Sequence, residues 1–331
     1  RIQLDWITII WTGKRRLWMK TENMAVVATG LLLLFRYVSL APETCSDYIG
    51  LQYLLSYRYG FIARGFIGSF LEWGGDYYTK ADIFLFCKFF EVLLTASFLM
   101  FTYRIIKDAK EENKVLLGIL ILVFAMSPMS PAFTYAINNY GRFDVVMIIA
   151  SLLQCIFMLR PTVAGGVAVC VLSVIAMLVH PQYIFTYAVV GVLLLSYQVI
   201  REQNNQKKWI GMVIADIALV GGLFFVFEYV RLIPGVWTQD TMYQSIQSRT
   251  DIIVSDDFYR YLNDWYFGTV DSHMNDIVRP FPIQKWTAIA TVLLMMPYNI
   301  LLYGVWFQVV RECKKRNNRL KILFFSWSLQ V

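Results

Sequence analysis

Val163-Ala-Gly-Gly-Val-Ala-Val-Cys-Val-Leu-Ser-Val-Ile-Ala-Met-Leu-Val179 runs for seventeen residues without a charge. A bilayer-crossing helix needs about 17–25 predominantly apolar residues. Thr162 and Pro161 precede this run, and His180-Pro181 follows it. Outward from it, the same pattern gives eight candidate spans. They are about Met24–Leu40, Ile83–Tyr103, Val115–Tyr135, Val145–Leu159, Val163–Val179, Tyr183–Ile200, Trp209–Val230 and Thr287–Val310. A ninth apolar stretch starts near Ile322 and stops at Val331, too short to cross. The chain also starts at Arg1, so a longer protein with an incomplete C-terminus is expected. Composition agrees with these blocks. Of 331 residues, 58% are apolar and 16% charged, with mean hydropathy +0.52. A soluble domain carries about a quarter charged residues, and disordered chains lack apolar ones. The expected class is an all-α polytopic membrane protein with at least eight spans.

Lys and Arg set the orientation. One side carries Lys14, Arg15, Arg16, Lys20, then Arg104, Lys107, Lys110, Lys114, then Arg160, then Arg201, Lys207 and Lys208. Arg311, Lys314, Lys315, Arg316, Arg319 and Lys321 continue on that side. The opposite side has Arg58, Arg64 and Lys80 in one long loop, Arg142 in a short one, and five more in a second long loop. The N-terminus is therefore expected in the cytoplasm, with residues 1–23 as an interfacial segment and 24–331 as the transmembrane domain. The net charge of +7 follows this asymmetry, so a nucleic-acid partner is not expected. Cys45 is alone outside, which predicts no disulfide in the loops. No N-x-[ST] sequon occurs, and a bacterial cytoplasmic membrane is the simplest home.

Loop length points to the functional side. Loops on the basic side are short. On the outer side, residues 41–81 and 231–286 form two long loops, and long loops in compact proteins are usually functional. In the first, Ser46-Asp-Tyr-Ile-Gly-Leu-Gln-Tyr-Leu-Leu55 places Leu51, Leu54 and Leu55 on one face. In Phe61-Ile-Ala-Arg-Gly-Phe-Ile-Gly-Ser-Phe-Leu71, Ile62, Phe66 and Phe70 share a face. Both read as helices lying in the membrane interface. The second long loop sets Trp237, Tyr243, Tyr259, Tyr261, Trp265 and Tyr266 beside Asp251, Asp256, Asp257, Asp264, Asp271 and Asp276. Rings that stack on sugar C–H faces and acids that accept hydroxyl protons suit carbohydrate. An ordinary solvated loop has the same composition. The group Asp271-Ser-His-Met-Asn-Asp276 holds metal-ligand residue types without a strong metal spacing.

Ionisable groups in spans are costly and are candidates for function. Lys88 and Glu91 are placed to pair on one helix face, with Arg36–Glu91 as the alternative pair. Asp216 is expected to make a hydrogen bond within the bundle. Pro128 and Pro131 are expected to kink the third span near its outer half, freeing backbone groups that need partners. At the outer ends of spans stand Asn139, Arg142, Asp144, His180 and Gln182, with Arg231 opening the second long loop. With Glu43, Asp47, Arg58 and Arg64 they give carboxylates able to deprotonate a hydroxyl and arginines able to clamp a phosphate. The outer side lacks nucleotide sugars, so a sugar donor there would arrive on a lipid carrier.

This organisation resembles the GT-C superfamily of glycosyltransferases, which use polyprenyl-phosphate-linked sugars. The likeness lies in a cytoplasmic N-terminus, a long first outer loop with two interface helices, and a second long outer loop between spans seven and eight. It is a likeness of topology over nearly the whole chain. The resemblance implies a catalytic base just after the first span, at Asp47 or Glu43 in Pro42-Glu-Thr-Cys-Ser-Asp-Tyr48. Asp47 is favoured because an N-cap position would hold it. The resemblance implies a further acid at Asp144 in Asn139-Tyr-Gly-Arg-Phe-Asp144. No adjacent Asp-Asp or Asp-x-Asp follows the first span, which leaves open whether a divalent Mg or Mn is used.

The expected function is inverting transfer of a sugar from a polyprenyl-phosphate donor to a glycan or lipid-linked acceptor, within cell-surface polysaccharide synthesis. Arg58, Arg64 or Arg142 would stabilise the leaving phosphate. Asn139, His180, Gln182 and Arg231 would line the substrate site. Two other readings stay open. One is a polysaccharide polymerase or ligase of the same pathway. The other is a transporter or flippase for a lipid-linked substrate, although the halves show no convincing repeat. A scaffold without chemistry accounts less well for two elaborate outer loops.

Overall fold

The computed structural model of the chain describes residues 20–127, 130–136, 139–230 and 232–267. Arg231, Asp271–Asp276, the eighth span and the truncated ninth lie outside the described residues. Among the described residues every regular element is helical. Four segments are long and apolar enough to cross a membrane: Thr21–Leu40, Lys80–Asp108, Glu111–Tyr135 and Gln206–Val230. Three apolar helices are shorter: Asp144–Leu159, Val163–Val179 and Ala188–Arg201.

In chain order the helices are α1 (Thr21–Leu40), α2 (Asp47–Gln52), α3 (Gly65–Gly74), α4 (Lys80–Asp108), α5 (Glu111–Met126), α6 (Asp144–Leu159) and α7 (Val163–Val179). A single turn α8 (Tyr183–Thr186) leads into α9 (Ala188–Arg201), followed by α10 (Gln206–Phe225), α11 (Gln239–Gln247) and α12 (Asp256–Leu262). The long helices form a bundle. α1 packs on α4 and α5, α4 on α6, α6 on α7, α7 on α10, and α10 on α9. Their outward faces are apolar: Phe35, Val38, Leu85, Val92, Val123 and Ile214 are all exposed. A soluble protein seldom shows so much contiguous apolar surface. On a membrane protein it is the lipid-facing side.

Two expected spans are interrupted. α5 ends at Met126, and a separate 3₁₀ turn forms at Pro131–Tyr135, in keeping with a proline that cannot continue the hydrogen-bond ladder. The freed carbonyls find a partner in Arg36. Its Nη1 donates to Ala125 O at 3.0 Å, Ser127 O at 2.9 Å and Ser130 Oγ at 3.1 Å. Neither expected ion pair of Glu91 forms. Arg36 is engaged here, and Lys88 lies 4.4 Å over the Phe84 ring. Glu91 Oε2 instead accepts from Thr134 Oγ1 at 2.8 Å. The sixth expected span breaks at Tyr187, between α8 and α9.

Asp216 is buried mid-span and faces the Ser173 hydroxyl across the bundle, the kind of contact expected for it. Ser173 Oγ, across the bundle, is engaged by Gln154 Nε2 at 2.9 Å and Tyr183 Oη at 3.2 Å.

The described parts of the two long loops, residues 41–81 and 232–267, interlock into one layer over the end of the bundle. Phe61 N–H donates to Leu232 O at 3.0 Å, Tyr78 N–H to Arg249 O at 2.9 Å, and Arg249 Nη1 to Leu54 O at 3.0 Å. Leu51, Leu54 and Leu55 are fully buried in an apolar cluster with Met242, Ile246, Ile252 and Phe258. The stripe read as lipid-facing on α2 is thus satisfied by the second long loop. α3 keeps part of the expected interfacial character, since Phe70 and Trp73 are exposed. Gly68 lets α3 lie against the backbone at Tyr53 and Leu55, where a Cβ would fall on the Leu55 carbonyl oxygen.

Candidate functional site

Arg64 is the most unusual residue of the loop layer. It alone among the described non-glycine residues has positive φ, at 65°. It immediately precedes α3, in left-handed conformation. Such a backbone costs about 1–3 kcal/mol and persists where the surroundings fix it. Arg64 is 6% exposed. Its Nη1 donates to Tyr261 Oη at 2.7 Å and its Nη2 meets His180 Nε2 at 2.9 Å. The guanidinium stacks over Trp265 at 4.9 Å and Tyr261 at 5.5 Å. No carboxylate pairs with it among the described residues, and its Nε has no hydrogen-bond partner.

His180 ends α7 and is buried. Burial, then the charges of Arg64 and Arg142, push its pKa well below the usual histidine value of 6.5. The ring is neutral. Each ring nitrogen faces a donor, Arg64 Nη2 at Nε2 and the Gln182 backbone N–H at 3.2 Å from Nδ1, and a neutral imidazole accepts from one of them. Among the described residues, the groups in contact with this buried cation are neutral. A guanidinium can bind an anion through charge-assisted hydrogen bonds.

Aromatic rings wall this cation. Tyr266 Oη donates to Ala63 O at 2.9 Å and lies 3.4 Å from Tyr261 Oη. Tyr48 packs edge-on to Tyr261 at 5.5 Å. Tyr48 follows Asp47, so the first turn of α2 reaches the same wall. Trp237, Tyr243 and Tyr259 hold the layer together instead. Trp237 donates to Arg58 O at 3.2 Å, Tyr243 to Val254 O at 2.9 Å and Tyr259 to Asp240 at 2.6 Å.

The other expected site residues divide among separate contacts. Asp47 is not the N-cap of α2. Ser46 is, with its Oγ accepting from Ile49 N–H at 3.3 Å, because a serine one residue earlier reaches the free amide. Asp47 begins the helix, half-exposed, and its carboxylate accepts from Lys80 Nζ at 2.6 Å. Asp251 lies beside it, accepting the Lys80 backbone N–H at 2.7 Å. Glu43 is exposed. Arg58 pairs with Asp76 at 2.7 Å and Glu72 at 3.2 Å, and Glu72 also holds the buried Arg249 at 3.0 Å. Arg142 pairs with Asp144 at 3.0 Å. Asn139 donates to Phe133 O at 3.1 Å. That turn is tied to the first loop by Tyr53 Oη, which donates to Gly141 O at 2.8 Å. The Gln182 side chain is exposed. Among the described residues no three His, Cys, Asp or Glu side chains are grouped to hold a metal ion.

Arg64 and His180 are therefore brought together, with Arg142 close enough for its charge to act on the imidazole. Tyr48, Lys80 and Arg249 were not among the expected site residues. Tyr48 was signalled only by adjacency to Asp47. The chain matches no family model, no curated protein and no solved structure.

Proposed function

We propose that the chain is a membrane glycosyltransferase that moves a sugar from a polyprenyl-phosphate donor to a glycan or lipid-linked acceptor on the outer face of the bacterial cytoplasmic membrane. In this reading the N-terminus is cytoplasmic and the bundle holds at least eight spans. The observation that carries it is Arg64, buried, without a carboxylate partner among the described residues, and walled by Tyr261 and Trp265. A phosphate would meet the guanidinium while the sugar lies against the rings.

The chemistry is a single displacement. The acceptor hydroxyl oxygen bonds to the anomeric carbon as the bond from that carbon to the phosphate oxygen breaks. The hydroxyl proton passes to the carboxylate of Asp47, or of Glu43, and polyprenyl phosphate leaves with the bonding pair. Arg64 stabilises the charge that develops on it. The anomeric centre inverts.

The test is transfer by the reconstituted full chain from a panel of radiolabelled polyprenyl-phosphate sugars to lipid-linked glycan. Loss of a positioned general base costs about 10²–10⁴-fold, so Asp47→Asn should fall by that much while remaining folded. Full activity in both Asp47→Asn and Glu43→Gln would remove the base assignment. Transport of a lipid-linked substrate is the second reading, favoured by the buried carboxyl of Asp216 within a span. Lipid translocation in proteoliposomes, without sugar transfer, would select it.

A further inference from the structure

A second candidate site lies at the other end of the bundle. α7 has 17 residues, so its first turn is about 25 Å from His180 at 1.5 Å per residue. Around that first turn, the ends of α4 and α6 leave a cavity of about 440 Å³. This falls within the roughly 300–1,000 Å³ typical of ligand sites. Arg104, Asp108 and Arg160 line its polar part, and Phe157, Ala164 and Ala168 are among its apolar walls. Arg160 Nη2 donates to Asp108 at 3.2 Å. Two guanidiniums against one carboxylate leave one net positive charge.

We propose that this cavity binds the headgroup of an anionic glycerophospholipid, its phosphate on Arg104 and Arg160 and its acyl chains along the bundle surface. Three observations support that occupant. The cavity is cationic at its rim and apolar below, which matches a phosphate joined to hydrocarbon. Phe157, Val163 and Val167 next to it are exposed, giving acyl chains an apolar path. Lys107 and Lys110 follow Arg104, and Lys207 and Lys208 open α10 at the same end. A basic end of a helical bundle faces the leaflet rich in anionic lipid, where each nearby Lys or Arg contributes about 1 kcal/mol. The proposal does not rest on the glycosyltransferase reading.

The experiment is native mass spectrometry of the purified full chain after exposure to phosphatidylglycerol, phosphatidylcholine or phosphatidylethanolamine. One phosphatidylglycerol should be retained in preference to either zwitterionic lipid. At about fivefold per arginine, the Arg104→Gln/Arg160→Gln double variant should lose roughly tenfold or more of that retention. Lys207→Gln/Lys208→Gln, at the same end but outside the cavity, should lose less of it than the arginine variant. Ala164→Trp fills the cavity and keeps its charges, and should also lose the lipid, so the outcome does not depend on how the arginine variant folds. Equal retention of the three lipids overturns the proposal. So does undiminished retention in the arginine or tryptophan variant. Displacement of the lipid by inorganic phosphate would assign the cavity to a free phosphate instead.

Discussion

His180 shows how placement sets the state of a single side chain. Its pKa is low because burial and then Arg64 and Arg142 oppose its charge. In the unfolded chain it takes a proton below about pH 6.5, whereas the folded chain resists protonation. The unfolded state then binds more protons, so stability is full above pH 6.5 and falls as pH drops below it. The slope approaches about 1.4 kcal/mol per pH unit. Melting temperature measured against pH should show this fall, and His180→Gln should remove that component. The Asp47–Lys80 pair predicts the opposite kind of result. Both side chains are partly exposed, and exposed pairs contribute about 0–1 kcal/mol. Lys80→Ala should therefore change unfolding free energy by under about 1 kcal/mol. The sequence marks Arg64 and His180 as charged or titratable residues outside the basic side. It does not show that they meet, since they lie 116 positions apart. That no carboxylate among the described residues pairs with Arg64 is a property of packing, and no local pattern encodes it.

Elements differ in how far they can be read from sequence. α7 is legible to its ends because an uncharged run is bounded by Thr162, which caps it through Gly165 N–H at 2.9 Å, and by His180-Pro181. α5 is less so. Its end at Met126 depends on Arg36 of another helix satisfying the carbonyls that the break leaves free. Arg36→Met should expose those acceptors to lipid without a donor. An unmade hydrogen bond to a buried group costs about 1–3 kcal/mol, so the variant should lose about 3 kcal/mol in unfolding by denaturant. α2 is legible as a helix and misread in its surroundings. Leu51 within it, with Leu54 and Leu55 just past its end, reports a buried face, and periodicity alone does not distinguish lipid from a distant loop. Gly68 tests that layer. Gly68→Ala would drive α3 off the Leu55 carbonyl, and limited proteolysis should then cut the long loops faster than in the parent chain.

At the scale of the molecule, the bundle separates two chemistries. One end carries the interlocked loops, Arg64 and His180. The other carries the basic turns and the Arg104–Arg160 cavity. The uneven distribution of Lys and Arg, read as topology, predicts opposite accessibility of Gln182 and Lys208, both exposed in the fold. Gln182→Cys should react with an impermeant maleimide in intact cells, and Lys208→Cys only after permeabilisation. The all-helical fold and its apolar helices follow from block length and charge. The layer over the bundle follows from pairings between residues nearly two hundred positions apart, such as Arg249 with Leu54. The proposed function requires Arg64 to receive a lipid-borne phosphate. Thermal protection of the reconstituted full chain by polyprenyl phosphate, compared with the matching polyprenol, tests this. Protection by the phosphate alone, weakened in Arg64→Lys and retained in Arg104→Gln/Arg160→Gln, is the predicted result. Equal protection by the two lipids, or protection that Arg64→Lys leaves unchanged, would contradict it.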